Sequence, residues 1–250
     1  MSDPTPETQA GDGTDLGERR SRQPEERRGG ILAAVREIAV IAATALLISF
    51  LVKTFVAQAF WIPSGSMEET LVYGDRVMVS KVQAGPLAVD RGDIVVFEDP
   101  GGWLPPVQQV DRGPLVNGLV RGLEFVGVAP SSQGGHLIKR VIGLPGDTVA
   151  CCDDDGALTV NGVPLEETYL YPGDEPSSVD FEVTVPQDHM WVMGDHRSNS
   201  RDSRANDDGT GAAGSVPLDN VVGQAFVLLF PFENFDWFTV PDTFEEVPEP

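Results

Sequence analysis

The chain has 250 residues and a formal net charge of −22 at pH 7. A nucleic-acid-binding face needs clustered Lys and Arg, so this charge excludes nucleic acid from the expected partners. The length allows one domain of good size with a tail and a membrane segment, or two small domains. The two cysteines, Cys151 and Cys152, are neighbours and cannot link distant parts of the chain.

The first 30 residues contain hardly any large apolar side chain. Residues 1–30 are therefore expected to form a disordered tail, because they cannot bury enough apolar surface to offset the entropy of ordering. Arginines are concentrated just before the apolar core of the next segment, at Arg19, Arg20, Arg22, Arg27, Arg28 and Arg36. By the positive-inside rule, this asymmetry predicts a cytoplasmic tail and an extracytoplasmic remainder.

Residues 31–60 are expected to form a transmembrane anchor. An uncharged core covers residues 38–52, and apolar character continues after Lys53 as far as Ile62. Lys53 can extend its ammonium to the interface, so the whole stretch is long enough to span a bilayer as a helix. The core alone has the length of a signal-peptide segment, which leaves cleavage after Ala59 as the alternative.

Short β-branched and aromatic runs follow the anchor, each closed by Gly, Pro, Asp or Asn. This pattern is typical of a mainly β fold with tight turns. The predicted strands are residues 76–81, 93–97, 136–142, 158–160, 181–185, 190–193 and 221–230. We therefore expect residues 61–240 to form one extracytoplasmic β domain and residues 241–250 to form an acidic tail.

A turn at residues 62–67 places two hydroxyls, Ser64 and Ser66, on either side of Gly65. A serine beside a glycine in a tight turn can project its Oγ away from the backbone while nearby N–H groups face an oxyanion. The turn therefore predicts a nucleophile. The same composition is also ordinary for a turn without chemistry, so that alternative stays open at this point.

A serine hydroxyl becomes a useful nucleophile only when a base accepts its proton. His136, His189 and His196 leave a Ser-His-Asp triad open, because its members can occur in any sequence order. Lys139 is the other candidate, since burial in its apolar strand would lower its pKa and leave the amine neutral. Spacing alone does not separate this from a strand-edge lysine with its ammonium in water.

Five sequence groups occur in a fixed order behind the anchor. They are SGSMEETL at residues 64–71, GDRV at 74–77, RGDIVVF at 91–97, KRVIGLPGD at 139–147 and GDHRSNSRDSR at 194–204. Together they resemble the ordered motifs of bacterial type I signal peptidases. The resemblance implies a single transmembrane helix followed by a twisted, largely antiparallel β catalytic domain with long loops, and a reaction that uses no metal or other cofactor.

The resemblance also implies roles for individual residues. Ser66 matches the nucleophile and Lys139 the general base of a Ser/Lys dyad. The Ser64 hydroxyl and the backbone N–H of Ser66 match the oxyanion hole.

Further positions match supporting and substrate-binding roles. Ser200 matches the hydroxyl that orients the lysine amine, and Asp202 with Arg204 matches the pair that holds the last motif in place. The positions that match the substrate pockets for short side chains are Phe60, Ile62, Leu71 and Ile138. The chain departs from the family pattern at Glu69, where proline is usual, and at His196 and Ser198, where Asn and Asp are commoner.

The function implied by the resemblance is a membrane-bound serine endopeptidase that removes N-terminal signal peptides after small residues of the Ala-x-Ala type. The expected partners are secretory preproteins, the lipid bilayer and the export machinery, and the expected location is the bacterial cell membrane. Two alternatives remain. One is a related Ser/Lys protease that processes itself or one regulatory partner, and the other is a non-catalytic anchored β module.

Overall fold

The computed structural model of the chain describes residues 25–82, 89–105, 113, 116, 118 and 135–250. It divides into two compact units, one up to Ala45 and one from Leu46 to Pro250. The predicted disordered tail up to residue 24 lies outside the described residues. Residues 25–30 of that tail instead begin a helix.

Helix α1 runs from Glu25 to Phe55, and its stretch Ala33–Leu51 is long and apolar enough to cross a membrane. The predicted anchor extended to residue 60, but the helix ends earlier. Ala57–Trp61 forms strand β1 and pairs with Arg76–Ser80, strand β2. The backbone groups of Ala57–Trp61 are used in this ladder, so they cannot continue the helix.

The remaining described residues are mainly β, as predicted. Ten strands follow the first two: β3 (Ile94–Glu98), β4 (His136–Gly143), β5 (Thr148–Cys151), β6 (Thr159–Val160), β7 (Val163–Pro164), β8 (Phe181–Thr184), β9 (His189–Met193), β10 (Val216–Pro217), β11 (Val221–Phe230) and β12 (Asp236–Trp237). A short helix, α2, covers Ser203–Asn206.

Two antiparallel sheets organise these strands. The larger has the order β1-β2-β11-β3-β4-β9-β10, with β12 paired to β11, and the smaller has the order β7-β6-β5-β8. The pairing within both sheets is antiparallel. Strand β4 therefore lies inside the larger sheet, between β3 and β9, and not at an edge.

The last ten residues, which the sequence predicts as an acidic tail, are packed onto the domain. Phe244 and Val247 are buried in the apolar cluster beside the smaller sheet. Arg91 forms a 2.7 Å ion pair with Asp147 and donates hydrogen bonds to the carbonyls of Val247 and Pro248. Two apolar anchors and a buried guanidinium thus fix a segment whose composition predicted only solvation.

Candidate active site

The turn that carries Ser66 is held between β1 and β2. Ile62 donates its N–H to the Asp75 carbonyl at 2.9 Å, and Gly74 donates to the Ile62 carbonyl at 3.0 Å. Inside this closed loop, Leu71 donates to the Met67 carbonyl at 2.7 Å, and both side chains are fully buried. These hydrogen bonds and buried side chains hold the loop, and with it Ser66, in a fixed position. The Ser66 side chain is itself buried.

Lys139 projects from strand β4 to this serine. Its Nζ lies 2.5 Å from Ser66 Oγ and donates to the Ile138 carbonyl at 2.9 Å. In the sheet, Lys139 is opposite Val95 of β3, and only 3% of the residue is exposed. The alternative of a strand-edge lysine with its ammonium in water is therefore wrong.

Burial changes the acidity of this amine. Removing the ammonium from water lowers the pKa of Lys139 from 10.5 to about 8, although the charges of Asp202 and Asp195 act in the opposite direction. An amine with this pKa is partly neutral near neutral pH. It can then accept the proton of a hydroxyl within hydrogen-bond distance.

Ser64 lies on the solvent side of the same turn. Its Oγ is 3.4 Å from Ser66 Oγ, and the residue is exposed. The position is compatible with the predicted oxyanion role, which stays a prediction.

The last motif, residues 194–204, lies near the Lys139 amine, because the charges of its Asp202 and Asp195 act on that amine. Arg204 donates to both carboxylate oxygens of Asp202, at 3.0 and 2.8 Å, and Asp202 also accepts from the Gly194 N–H at 3.0 Å. Burial alone would raise the pKa of Asp202, but Arg204, Gly194 and the nearby Ser200 hydroxyl lower it overall. Asp202 therefore stays ionised and N-caps helix α2.

Ser200 has a buried hydroxyl in this arrangement. Among the described residues its Oγ has no hydrogen-bond partner within normal limits, although it faces the Asp202 carboxylate. A Cβ added to Gly194 would lie 2.3 Å from both Ser200 Oγ and the Ser66 carbonyl oxygen. Because Gly194 has no side chain, the last motif can approach the turn that carries Ser66. The predicted contact of Ser200 with Lys139 stays a prediction.

Sequence reasoning missed the ion pair that joins three parts of the site. Arg140, next to Lys139, donates to both oxygens of Asp195 at 2.9 and 2.7 Å. Thr70, in the turn after Ser66, donates to the same carboxylate at 2.5 Å. The available signal was the presence of Arg140 and Asp195 inside two of the quoted motifs, but their contact is apparent only in the fold.

The four predicted substrate-pocket residues lie in one apolar cluster. Phe60, Ile62, Leu71 and Ile138 share it with Met67. Ile62 and Leu71 are almost completely buried, whereas Phe60 is only partly buried. The structure therefore brings the four together beside the Ser66 turn, and their contact with substrate stays a prediction.

The histidines occupy different environments. The Nδ1 of His189 contacts the Gln187 carbonyl at 2.8 Å, and the ring of His136 packs 5.5 Å from that of Phe60. His196 lies at the turn, but its Nδ1 contacts the Gly65 carbonyl and Glu68 rather than the Ser66 hydroxyl. Among the predicted candidate bases, Lys139 is the one whose contact with the Ser66 hydroxyl the structure describes.

Glu69 adopts an uncommon backbone conformation. Its φ of 87° lies in the left-handed region. The proline that the resemblance implies at this position is restricted to φ near −65° and cannot adopt this conformation. The turn after Met67 therefore excludes proline at position 69.

The described residues contain no group of three or more His, Cys, Asp or Glu side chains arranged to hold a metal ion. Cys151 and Cys152 are joined in a disulfide at the end of β5.

Comparison with known proteins gives a consistent family. Residues 35–230 match the model of "Signal peptidase, peptidase S26". Signal peptidase I of Mycobacterium tuberculosis is 37% identical over 250 residues, covering 92% of this chain and 84% of that protein. The probable signal peptidase I of Mycobacterium leprae is 37% identical over 225 residues, covering 80% and 77%.

A solved signal peptidase I from Enterococcus faecalis V583 is 27% identical, covers 54% of this chain and 95% of its own, and superposes with a TM-score of 0.34. The match of the family model and the identity over most of both mycobacterial relatives agree with a serine and a buried lysine in hydrogen-bond contact. The chain therefore belongs to the signal peptidase family, peptidase S26, and is a serine endopeptidase of that family.

Proposed function

We propose that this protein removes signal peptides from exported preproteins at the membrane, with Ser66 as nucleophile and Lys139 as general base. The observation that carries the proposal is the 2.5 Å contact between Lys139 Nζ and Ser66 Oγ inside a buried site. A lysine can act as a base only when its pKa is depressed, and burial depresses this one to about 8. Both requirements of a Ser/Lys dyad are thus present together.

In the acylation step, the neutral Lys139 amine accepts the proton of Ser66 as Oγ attacks the scissile carbonyl. The resulting oxyanion is stabilised by the Ser66 N–H and the Ser64 hydroxyl. The protonated amine then gives its proton to the leaving amine, the peptide bond breaks, and an acyl-enzyme remains on Ser66.

In the deacylation step, Lys139 accepts a proton from an incoming water molecule, which attacks the acyl carbonyl. Collapse of the second tetrahedral intermediate breaks the ester, and the proton returns to Ser66. The same amine therefore serves both steps, and its protonation state controls both rates.

Activity is expected to rise with pH. Only the neutral amine of Lys139 accepts the serine proton, so kcat/KM should increase with pH and reach half its plateau near pH 8, where the lowered pKa of the free enzyme lies. The measurement is kcat/KM of the full chain in detergent micelles from pH 6 to pH 10. A profile that stays flat over this range would contradict a lysine base.

The position of the site along the chain supports a membrane substrate. Ser66 follows the apolar helix after a short stretch, so a substrate whose own apolar segment is still inserted could reach it. Exposed aromatic side chains on and after β11 offer a surface for lipid headgroups: Phe230, Phe232, Phe235 and Trp237. The arginine-rich N-terminal segment favours a cytoplasmic N-terminus, a single span and an extracytoplasmic catalytic domain in the bacterial cell membrane.

A self-processing protease is the alternative that the structure disfavours at the predicted cleavage site. Ala59 lies in β1, opposite Met78 of β2, and its backbone is part of the sheet. A peptide bond must leave such a ladder before it can enter an active site in extended form. The apolar cluster beside the Ser66 turn is partly open at Phe60. An extended segment of another protein, with small side chains, is therefore a better substrate than the Ala59 segment of this chain.

The experiment that tests the proposal compares the full chain with Ser66→Ala in lipid vesicles. The substrate is a preprotein with an Ala-x-Ala sequence before its mature region, and mass spectrometry identifies the new N-terminus. We expect cleavage after the second alanine by the wild type and none by Ser66→Ala. Cleavage only within this chain would identify a self-processing enzyme, and the absence of any cleavage would identify a non-catalytic module.

A further inference from the structure

His196 contacts the peptide unit that joins Gly65 to Ser66. Its Nδ1 lies 3.2 Å from the Gly65 carbonyl oxygen and 3.0 Å from Glu68 Oε2. Both partners are acceptors, so Nδ1 carries a proton and donates. The backbone N–H of His196 donates in addition to the Ser66 carbonyl at 3.3 Å. His196 therefore binds the carbonyls on both sides of the Ser66 backbone nitrogen.

The imidazole is fixed in this position. Its ring stacks on Tyr171 with centroids 3.9 Å apart and an interplanar angle of 14°. Tyr171 is held against the motif at residues 194–204, because its N–H donates to the Asp195 carbonyl at 3.1 Å. Only 13% of the His196 side chain is exposed. A ring held on one face and at one nitrogen is a rigid support for the turn.

A peptide unit is planar, and its C=O and N–H point in opposite directions. A donor that fixes the Gly65 carbonyl thereby fixes the direction of the Ser66 N–H at the other end of the same unit. A hydrogen bond to the carbonyl also polarises the amide and strengthens the N–H as a donor. Catalysis by an oxyanion hole depends on donors whose orientation is set before the reaction.

We propose that His196 is a positioning residue that orients and polarises the Gly65–Ser66 peptide so that the Ser66 N–H faces the oxyanion. This inference rests on the proposed function, which uses that N–H in the transition state. The Glu68 carboxylate is a second hydrogen-bond partner of the same ring, and its effect is tested separately below.

Two substitutions separate the effect of the His196 ring from the effect of its N–H donor. His196→Phe keeps an aromatic ring to stack on Tyr171 but removes the N–H, whereas His196→Asn removes the ring but keeps a side-chain N–H. We expect His196→Phe to lower kcat by about 10- to 100-fold with KM within about twofold, because the lost interaction acts in the transition state. His196→Asn should keep kcat within about threefold of the wild type.

Other outcomes overturn the proposal. Equal losses in His196→Phe and His196→Asn would show that packing is responsible, and so would a rise in KM or a lowered melting temperature that accounts for the loss. A Glu68→Ala variant that loses as much kcat as His196→Phe would assign the effect to the contact with Glu68. We expect its loss to be clearly smaller.

A spectroscopic measurement tests the contact without any substrate. The chain contains two Gly-Ser pairs, Gly65-Ser66 and Gly214-Ser215, so labelling with carbonyl-13C glycine and 15N serine gives two correlated NMR signals. In the full chain in micelles, His196→Phe should shift the Gly65–Ser66 signal and leave the other in place. His196→Asn should restore it towards the wild-type position.

An unchanged Gly65–Ser66 signal in His196→Phe would overturn the proposal even if the enzyme is active. If His196→Phe shows the expected shift but the wild-type chain cleaves no preprotein, the proposed function is refuted, and with it the catalytic part of the His196 assignment. The two failures are therefore distinguishable.

Discussion

Replacing Lys139 by methionine is expected to lower kcat by about 10²- to 10⁴-fold, the usual contribution of a general base. Methionine keeps an unbranched apolar stem in the buried position but has no amine to accept the Ser66 proton. Because a buried cation is exchanged for an apolar group, the fold should be retained. The measurement is single-turnover cleavage of a preprotein, with near-UV circular dichroism as the test of folding.

Lys81 offers a control with the same substitution, because it directly follows β2 at the end of that strand away from the Ser66 turn. Lys81→Met should keep kcat within about twofold of the wild type. Full turnover by a folded Lys139→Met variant would remove the lysine from the mechanism. The three histidines would then be the remaining candidates for the general base.

Replacing Asp195 by asparagine is expected to lower the free energy of unfolding by about 3–5 kcal/mol, the usual cost of leaving one partner of a buried ion pair uncompensated. Asp195 is fully buried, and Arg140 binds both of its carboxylate oxygens. The Arg140 guanidinium also packs over the Tyr169 ring at 4.1 Å, and only 3% of Arg140 is exposed. The measurement is urea unfolding of the full chain in micelles, followed by tryptophan fluorescence.

Two controls accompany this measurement. Asp154→Asn makes the same chemical change at an exposed position and should alter the unfolding free energy by less than about 0.5 kcal/mol. The double variant Asp195→Asn with Arg140→Met should cost less than the sum of the two single changes, since no unpaired charge remains. Additive costs would contradict a coupled pair.

The seven predicted strands correspond to β2, β3, β4, β6, β8, β9 and β11. Strands β2, β3, β4 and β11 contain β-branched and aromatic runs bounded by Gly, Asp or Pro, and each appears close to its expected place. The strands missed are short, such as β7 and β10 with two residues each. Such pairs form because their neighbours in the sheet supply hydrogen bonds, which no local pattern contains.

The boundary of the anchor was misplaced for a related reason. Phe55, Val56, Phe60 and Trp61 continue the apolar character of α1, so hydropathy does not separate helix from strand there. Residues 57–61 form a strand because they pair with β2. Strand β2 begins only after the turn that carries Ser66, so tertiary contacts determine where the helix ends.

The candidate site shows the same division. Ser66 and Lys139 are 73 residues apart, and neither turn composition nor strand pattern indicates their contact. Among the sequence signals, only the set of ordered motifs predicted that these two residues act together. The supporting contacts of Asp195 with Thr70, and of His196 with Gly65, depend on the approach allowed by Gly194 and were not predicted.

The most direct test of the mechanism is a titration of the lysine amines themselves. The chain has three lysines, Lys53, Lys81 and Lys139, so 15Nζ labelling gives three side-chain signals. We expect one signal to titrate near pH 8 and to be absent in Lys139→Met, in line with the lowered pKa of the buried amine. Titration of all three amines near the ordinary value of about 10.4 would contradict a neutral lysine base beside Ser66.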